Sequence, residues 1–199
     1  MKNEVRTPVQ ERAILKKKKI IDASYRLFSK VGYYNTNTAE IAKEAGVSTG
    51  IVYGYFKDKR DILLDVLDVY VSDVVPPFLQ IIDETTLENI GDLVPKMVDA
   101  IIKTHEKHQK IHEALHSLTA TDKEVNDKFV AIEDAITYKL SSKFDQIGYG
   151  FPNKMERIHF AINVTQAFSH EYVYDKHDYI DYEVMKQVLI SVVNDLIKR

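Results

Sequence analysis

The stretch from residue 37 to residue 59, NTAEIAKEAGVSTGIVYGYFKDK, constrains the fold more than any other part of the chain. Asn37 precedes Glu40 by three residues, the spacing of a capping box, in which each side chain bonds a backbone N–H that the first helical turn leaves unpaired. Gly46 then stands where a residue with positive φ would end the helix. Ser48 stands where a side chain would cap a second helix. The spacing predicts two short helices joined by a tight turn, which is a helix-turn-helix.

The predicted second helix, from Thr49 to about Phe56, contains two glycines. Each glycine costs about 1 kcal/mol relative to alanine in a helix interior, and a helix this short is not stable alone. With Val52 and Phe56 packed inward, the outward face is small, hydroxylic and aromatic. Such a face lets a helix backbone approach another surface closely and brings hydroxyls within reach of phosphates or base edges. The outward residues are Thr49, Gly50, Tyr53 and Gly54, with Tyr55 at the edge.

Asp58 is placed to cap the next helix, and Lys59 lies in its first turn, where the cation and the helix dipole both favour a phosphate. The motif as a whole resembles the DNA-binding domain of TetR-type transcriptional regulators. The matching positions are Ile41-Ala42, Ala45-Gly46-Val47-Ser48, Gly50-Ile51-Val52-Tyr53, Tyr55-Phe56, Lys59 and Leu63, with a similar first helix ending in Phe28 and Gly32-Tyr33.

The resemblance implies which residues face DNA: Thr38, Ser48, Thr49, Gly50, Tyr53, Tyr55 and Lys59. Tyr55 departs from the histidine that the family often has at its position. The alternative is a helical hairpin that does not bind nucleic acid. Such a hairpin would not explain why the second helix has two glycines and an exposed tyrosine.

The charges of the chain divide unevenly. Residues 1–60 hold 13 Lys and Arg and 6 Asp and Glu, a net charge of +7, so the remaining 14 and 24 give residues 61–199 a net charge of −10 and the chain −3. A basic N-terminal part on an acidic body suits selective binding of phosphates by one end. Residues 1–10 show no periodic pattern, so they are predicted to be a flexible tail.

The rest of the chain shows helical periodicity throughout, which predicts an all-α fold. The predicted domains are residues 1–60, which hold the helix-turn-helix, and residues 61–199, a helical domain for ligand sensing and dimerisation. Helices are predicted from about Arg12 to Val31, from Asp61 to the Pro76-Pro77 pair that ends the connector, and from Leu87 to about Glu106. Further helices are predicted over residues 111–118, from Asp122 to the turn at residues 148–152, and over residues 153–174 and 182–198.

The last helix carries two adjacent apolar stripes, a band wider than one packing partner needs. The resemblance implies an all-helical homodimer that joins through its last two helices and binds a roughly palindromic, double-stranded operator. It also implies a small-molecule effector in the body that releases a repressor from that operator. An activator and a ligand-independent architectural regulator stay open as alternatives, as does a helical adaptor that binds no DNA.

Five positions are candidates for the effector pocket, chosen from family placement and from their polar or aromatic character: His112, His116, Tyr138, Phe168 and Tyr172. His105, His108, His112 and His116 are spaced by three, four and four residues, which on an unbroken helix would form one metal-competent stripe. A predicted helix break at residues 107–109 disrupts that stripe, so no metal site and no cofactor are predicted.

Several classes of function are disfavoured. The chain has no cysteine, which excludes disulfides, zinc-thiolate sites and thiol nucleophiles. It contains neither a phosphate-cradling glycine loop nor a nucleophile elbow, so an enzyme is not predicted. No apolar run is long enough for a signal peptide or a membrane span, and a cytoplasmic location is expected.

Overall fold

The computed structural model describes residues 8–198 and the side chains from residue 11 onward. Over that range the chain is helical and contains no strand, which confirms the predicted all-α class. None of the helices in this range has the length and apolarity that a membrane span requires. The helices are α1 (Pro8–Val31), α2 (Thr38–Ala45), α3 (Thr49–Tyr55), α4 (Lys59–Glu84), α5 (Leu93–Lys107), α6 (Gln109–Leu118), α7 (Lys123–Gln146), α8 (Lys154–Tyr174) and α9 (Tyr182–Leu196), with a 3-10 turn at Ile90–Asp92.

The start of α1 differs from the prediction. The helix begins at Pro8 rather than near Arg12, so residues 8–10 of the predicted tail are helical, and the rest of that tail lies outside the described residues. Proline suits the first position of a helix because its missing N–H would have no intrahelical partner there and its φ is already helical.

The chain forms two compact units. The first comprises the described residues up to Val71 together with Lys110–Leu118, and the second comprises Ser72–Gln109 and the described residues from Thr119 onward. Helix α4 therefore begins in the first unit and ends in the second. The predicted boundary between functional domains at residues 60 and 61 stays a prediction.

Apolar side chains from α1 to α4 and from α6 are buried in the first unit. Ile20 and Phe28 of α1 are fully buried, as expected from their spacing. Two surface ion pairs join elements of this unit: Lys17 Nζ lies 2.6 Å from Asp65 Oδ2, and Arg26 Nε lies 3.0 Å from Glu44 Oε1. The other buried apolar residues include Ala23, Ile41, Ala42, Val52, Phe56, Ile62, Leu63, Val66, Leu67, Ile111, Ala114 and Leu115.

The capping box at the start of α2 is confirmed. Asn37 Oδ1 accepts hydrogen bonds from the N–H groups of Ala39 and Glu40, both at 3.0 Å, and the Asn37 N–H donates to Glu40 Oε2 at 2.8 Å. Both partners of the box are therefore satisfied, and the entry into α2 is fixed by local chemistry.

We expect Asn37→Ala to lower the free energy of unfolding by about 1 kcal/mol, because two orphan N–H donors lose their acceptor. Asn37→Asp keeps the oxygen and should stay within about 0.5 kcal/mol of the wild type. Urea unfolding followed by far-UV circular dichroism measures both. Equal losses in the two variants would contradict the assignment of the stabilisation to the side-chain oxygen.

The predicted end of the connector helix at Pro76-Pro77 is wrong, because α4 runs through both prolines to Glu84. Two prolines remove two intrahelical hydrogen bonds and cost several kcal/mol in a helix interior. Val74, Phe78 and Ile82, spaced one turn apart across the prolines, are all buried. Burial of such side chains is worth about 1.5–3 kcal/mol each, so tertiary packing outweighs the local preference.

The core of the second unit is built from α5, α7, α8, α9 and the end of α4. The predicted break between α5 and α6 is confirmed, because His108 leaves the helical conformation between them. Asp122 caps α7, as predicted, by accepting from the N–H of Glu124 at 3.1 Å. Gly148 has a φ of +69° and ends the turn after α7, where the Tyr149 N–H donates to the Phe144 carbonyl at 2.8 Å.

Candidate nucleic-acid interface and apolar cavity

The turn between α2 and α3 has the predicted form. Gly46 adopts a left-handed conformation with a φ of +67°, and the Val47 N–H closes the end of α2 on the Ala42 carbonyl at 2.9 Å. Ser48 occupies the cap position of α3 with an extended backbone, but its hydroxyl caps no N–H of the described chain. The predicted side-chain cap is therefore wrong, and the backbone carbonyl of Ser48 accepts from the N–H of Ile51 instead, at 2.9 Å.

Helix α3 presents the predicted outward face. Val52 and Phe56 are buried, Tyr55 is half-buried, and Tyr53 is 55% exposed. Within the described residues, and apart from the two neighbouring residues and the backbone of α3 itself, no heavy atom lies within 4 Å of a Cβ built on Gly54, and the nearest to one on Gly50 is Ser48 Oγ at 4.0 Å. Internal packing therefore does not require either glycine, although both lower helix propensity. Their absent side chains leave the α3 backbone open to approach from outside.

Two of the predicted contact residues are hydrogen-bonded to each other. The hydroxyls of Thr38 at the start of α2 and Tyr53 in α3 lie 2.9 Å apart on the exposed surface. This bond joins the two helices of the motif and sets a pair of hydroxyls side by side. Because one hydroxyl of the pair keeps a free lone pair and the other a rotatable O–H, the pair can both donate to and accept from an outside group.

Lys59 lies in the first turn of α4, as predicted, and its ammonium is held by the first unit itself. Its ammonium donates to the carbonyls of Tyr33 at 2.7 Å and Thr36 at 2.8 Å and lies 4.3 Å from the centroid of the Tyr33 ring. Burial lowers the pKa of Lys59, and the Glu40 carboxylate partly offsets this. Lys59 thus ties the loop before α2 to the start of α4, and its contact with phosphate stays a prediction. Asp58 caps α4 as expected, accepting from the Asp61 N–H at 2.8 Å.

The lysine run of α1 contributes three exposed cations, Lys16, Lys18 and Lys19. The fourth, Lys17, is half-buried, pairs with Asp65 and lies 5.3 Å from the Phe56 ring centroid. The run therefore divides into one structural lysine and three that add positive potential to the surface of the first unit.

A capped helix, a left-handed glycine turn and an exposed second helix with a small, hydroxylic face define a helix-turn-helix domain. Residues 20–66 match the family model described as bacterial regulatory proteins of the tetR family. This part of the chain is therefore a helix-turn-helix domain of the tetR family of bacterial regulatory proteins.

Similar proteins support the same family. The regulator HbdR of Aromatoleum sp. (strain CIB) is 51% identical over 59 residues, which are 28% of this chain and 26% of that protein. The regulator YerO of Bacillus subtilis (strain 168) is 24% identical over 188 residues, 92% of this chain and 65% of that protein. The matches thus span less than two thirds of these relatives. A TetR-family regulator structure from Mesorhizobium loti has a TM-score of 0.72 at 17% identity, covering 94% of this chain and 96% of that one.

The five candidate effector residues are divided between the two units. His112 is buried in the first unit, where its Nδ1 lies 2.7 Å from the Tyr70 hydroxyl, and the exposed His116 stacks on it at 5.7 Å between ring centroids. In the second unit, Phe168 is buried and packs against Tyr172 at 5.8 Å, while Tyr138 is 64% exposed on α7.

The four histidines around residue 108 are also divided between the two units. His105 and His108 lie in the second unit and His112 and His116 in the first. The His105 Nδ1 lies 2.9 Å from the Ile101 carbonyl, and the His108 Nε2 lies 4.0 Å from Asp73 Oδ2. Across residues 8–198, no three His, Cys, Asp or Glu side chains are grouped so as to hold a metal ion.

The second unit instead contains an apolar cavity of about 60 Å³, which the sequence reasoning missed because it favoured polar and aromatic residues. Its described lining is aliphatic and aromatic apart from Thr165, whose hydroxyl donates to the Ala161 carbonyl of its own helix at 2.7 Å. The signal in the sequence was the broad apolar face of α5. The lining residues are Leu93, Val94, Met97, Val98, Ile101, Leu140, Phe144, Ile158, Ala161, Ile162, Thr165, Val193 and Ile197.

Helix α9 has a second apolar face besides the one it buries. Leu189 and Val193 are buried in the second unit, while Val184, Val188 and Val192 are 58%, 57% and 47% exposed and recur every four residues. On α8, Phe160 is 54% exposed. Both of the last two helices therefore present large apolar side chains to the outside of this unit.

Proposed function

We propose that this protein is a homodimeric, sequence-specific repressor that leaves its operator when an apolar small molecule binds the second unit. The observation that carries the DNA-binding part is the exposed face of α3, where neither glycine is needed for packing and Tyr53 extends outward beside Thr38. A surface that lowers helix stability without a packing reason is typical of a site shaped for a partner.

In this proposal α3 is the recognition helix and lies in the major groove. Thr49, Gly50 and Ser48 at its start approach base edges and phosphates, and the paired hydroxyls of Thr38 and Tyr53 bond the DNA backbone. Tyr55, which is half-buried, contacts the duplex with its edge. The ammonium of Lys59 adds positive charge near the same phosphates while keeping its bonds to the loop before α2.

The dimer forms through the exposed valines of α9 and the exposed Phe160 of α8. Large apolar side chains that recur at helical spacing on the outside of a folded unit favour burial against a copy of the same surface. A two-fold dimer carries two recognition helices. It would therefore bind two half-sites whose centres are about 34–36 Å apart, or a multiple of that spacing.

We assign the effector to the apolar cavity rather than to the five positions chosen from the sequence. Because the lining offers no charged group, a straight aliphatic chain matches it better than a polar ligand does. Helix α4 extends covalently from the first unit into the second, so it can carry a change between them. The ligand lowers operator affinity by at most its differential affinity for the two conformations.

The proposal is tested with a duplex selected by the protein from a random-sequence library in the presence of competitor DNA. Affinity for that duplex should fall steeply with salt, since log K decreases by about 0.9 per neutralised phosphate for each tenfold rise in salt. Tyr53→Ala should weaken binding by about tenfold or more. Tyr34→Ala is the matched control because Tyr34 is a tyrosine of the same unit outside the motif and, at 65%, is at least as exposed as Tyr53.

Decanoate should release the selected duplex, whereas succinate, which has carboxylates but no aliphatic chain, should not. In a promoter carrying the selected site, the protein should reduce transcription and decanoate should restore it. A failure to retain any sequence against competitor, or equal losses in Tyr53→Ala and Tyr34→Ala, would contradict the recognition surface. Activation of the promoter would contradict the repressor assignment alone.

A further inference from the structure

An aromatic corner in the second unit, separate from the apolar cavity, already holds an ammonium group. The rings of Tyr172 on α8 and Tyr182 on α9 meet at 85° with their centroids 5.8 Å apart. Lys176 reaches over this corner from the connection between the helices, and its Nζ lies 3.7 Å from the Tyr172 centroid and 5.5 Å from that of Tyr182. A cation within about 6 Å of an aromatic centroid is attracted by the quadrupole of the ring.

The two rings are held in place by the fold and do not depend on Lys176. Tyr182 is buried, and its hydroxyl donates to Glu171 Oε1 at 2.8 Å while accepting from the His177 N–H at 2.9 Å. The Tyr172 ring packs against buried Phe168. The corner is therefore preorganised, and binding of a cation there would cost the protein little conformational entropy.

The charges around the corner favour a cation. Glu171 and Glu183 accept from the hydroxyls of Tyr182 and Tyr172, the latter at 3.4 Å. The nearby Lys186 is paired with Asp99 at 2.5 Å, so these two charges cancel. Two carboxylates therefore border the hydroxyl ends of the two rings. One of these carboxylates, Glu183, also interacts with Lys186, and the negative charge of the two favours a cation at the corner.

We propose that the Tyr172–Tyr182 corner is a binding site for small organic ammonium ions, which Lys176 closes from within and which opens when that side chain leaves. Lys176 is exposed and lies in the connection after α8, so it can leave the rings without unpacking them. As a tethered competitor it acts at an effective concentration in about the millimolar range. A ligand carrying an ammonium group must outcompete it, and the site responds to concentrations above that threshold.

The test uses tetramethylammonium, which has the charge and no hydrogen-bond donors, and tert-butyl alcohol, a neutral molecule with the same number of heavy atoms around a tetrahedral centre. Lys176→Gln should bind tetramethylammonium about tenfold more tightly than the wild type, with a saturable upfield shift of its methyl protons from the aromatic ring current. The neutral alcohol should show no such gain. Lys176→Arg, which keeps a cation over the rings, should behave as the wild type.

The paired variant Lys176→Gln with Tyr172→Leu should lose the gain, while Lys176→Gln with Tyr172→Phe, which keeps the ring, should retain it. Equal binding by Lys176→Gln and the wild type, or an equal gain for the neutral alcohol, would overturn the proposal. If the leucine variant fails to fold, the ring-current shift measured in Lys176→Gln tests the proposal by itself. The absence of that shift would also overturn the proposal. None of these outcomes depends on DNA binding or on the apolar cavity.

Discussion

Val188→Glu should convert the protein from dimer to monomer and weaken binding of the selected duplex by at least about 100-fold. Val188 is the central member of the exposed α9 stripe, with Val184 and Val192 one turn away on either side. A carboxylate at the centre of an apolar interface would be buried without a partner, which costs far more than the lost valine contacts. A monomer retains one recognition helix and loses the avidity of two.

The matched control for this change is Val130→Glu, which adds the same charge at a valine of α7 that is 45% exposed. It should leave both the oligomeric state and DNA affinity unchanged. Light scattering after size exclusion gives the mass, and circular dichroism shows whether each variant keeps its helices. If Val188→Glu is a dimer that binds the duplex with full affinity, the interface lies elsewhere on the protein. If the wild type is a monomer, the proposed dimer is wrong.

The features that the sequence predicted best are those that local chemistry decides. A capping box is formed by an N-cap side chain such as asparagine with a glutamate three residues later, and a left-handed turn favours a residue without a Cβ, so Asn37, Glu40 and Gly46 determine α2 and its end on their own. The break at His108 and the cap at Asp122 belong to the same group. Each of these depends on neighbours within about one helical turn.

The predictions that the structure contradicts concern positions where contacts between distant residues outweigh the local conformational preference of the sequence. Pro76 and Pro77 signal a helix end, but the burial of Phe78 and Ile82 in the second unit keeps α4 intact. Ser48 has the best residue type for a cap, and yet only the three-dimensional path of the turn decides whether its hydroxyl points toward the helix. A one-dimensional pattern contains neither kind of information.

The candidate sites divide in the same way. The outward face of α3 follows from helical spacing alone, so Thr49 and Tyr53 are exposed as predicted. The candidate effector residues were chosen by chemical type, which does not say which helices meet, and none of the five is among the described residues that line the cavity. A cavity is a packing defect shared by several helices, and it becomes visible once their side chains are placed together.

Phe144→Ala should lower the free energy of unfolding by about 3–5 kcal/mol, since it removes a fully buried aromatic ring from the wall of the cavity. Phe144 is 1% exposed and contacts the rings of Tyr149 and Phe151 at 5.6 Å and 5.5 Å between centroids. Tyr138→Ala on the same helix is the matched control and should cost less than about 1 kcal/mol because that ring is 64% exposed. Urea titrations at one protein concentration, followed by circular dichroism, measure the difference.

The same variant separates a structural core from a binding site. A ligand that binds the folded chain alone stabilises it by about 2.7 kcal/mol at 100 times its dissociation constant. Decanoate should therefore stabilise the wild type and should recover part of the loss in Phe144→Ala, because the enlarged cavity accepts more of the chain. Succinate should do neither. A contrary result would be that decanoate stabilises neither protein, while Phe144→Ala shows the full loss in the free energy of unfolding. That result would mean that the cavity belongs to the core and that the effector binds elsewhere.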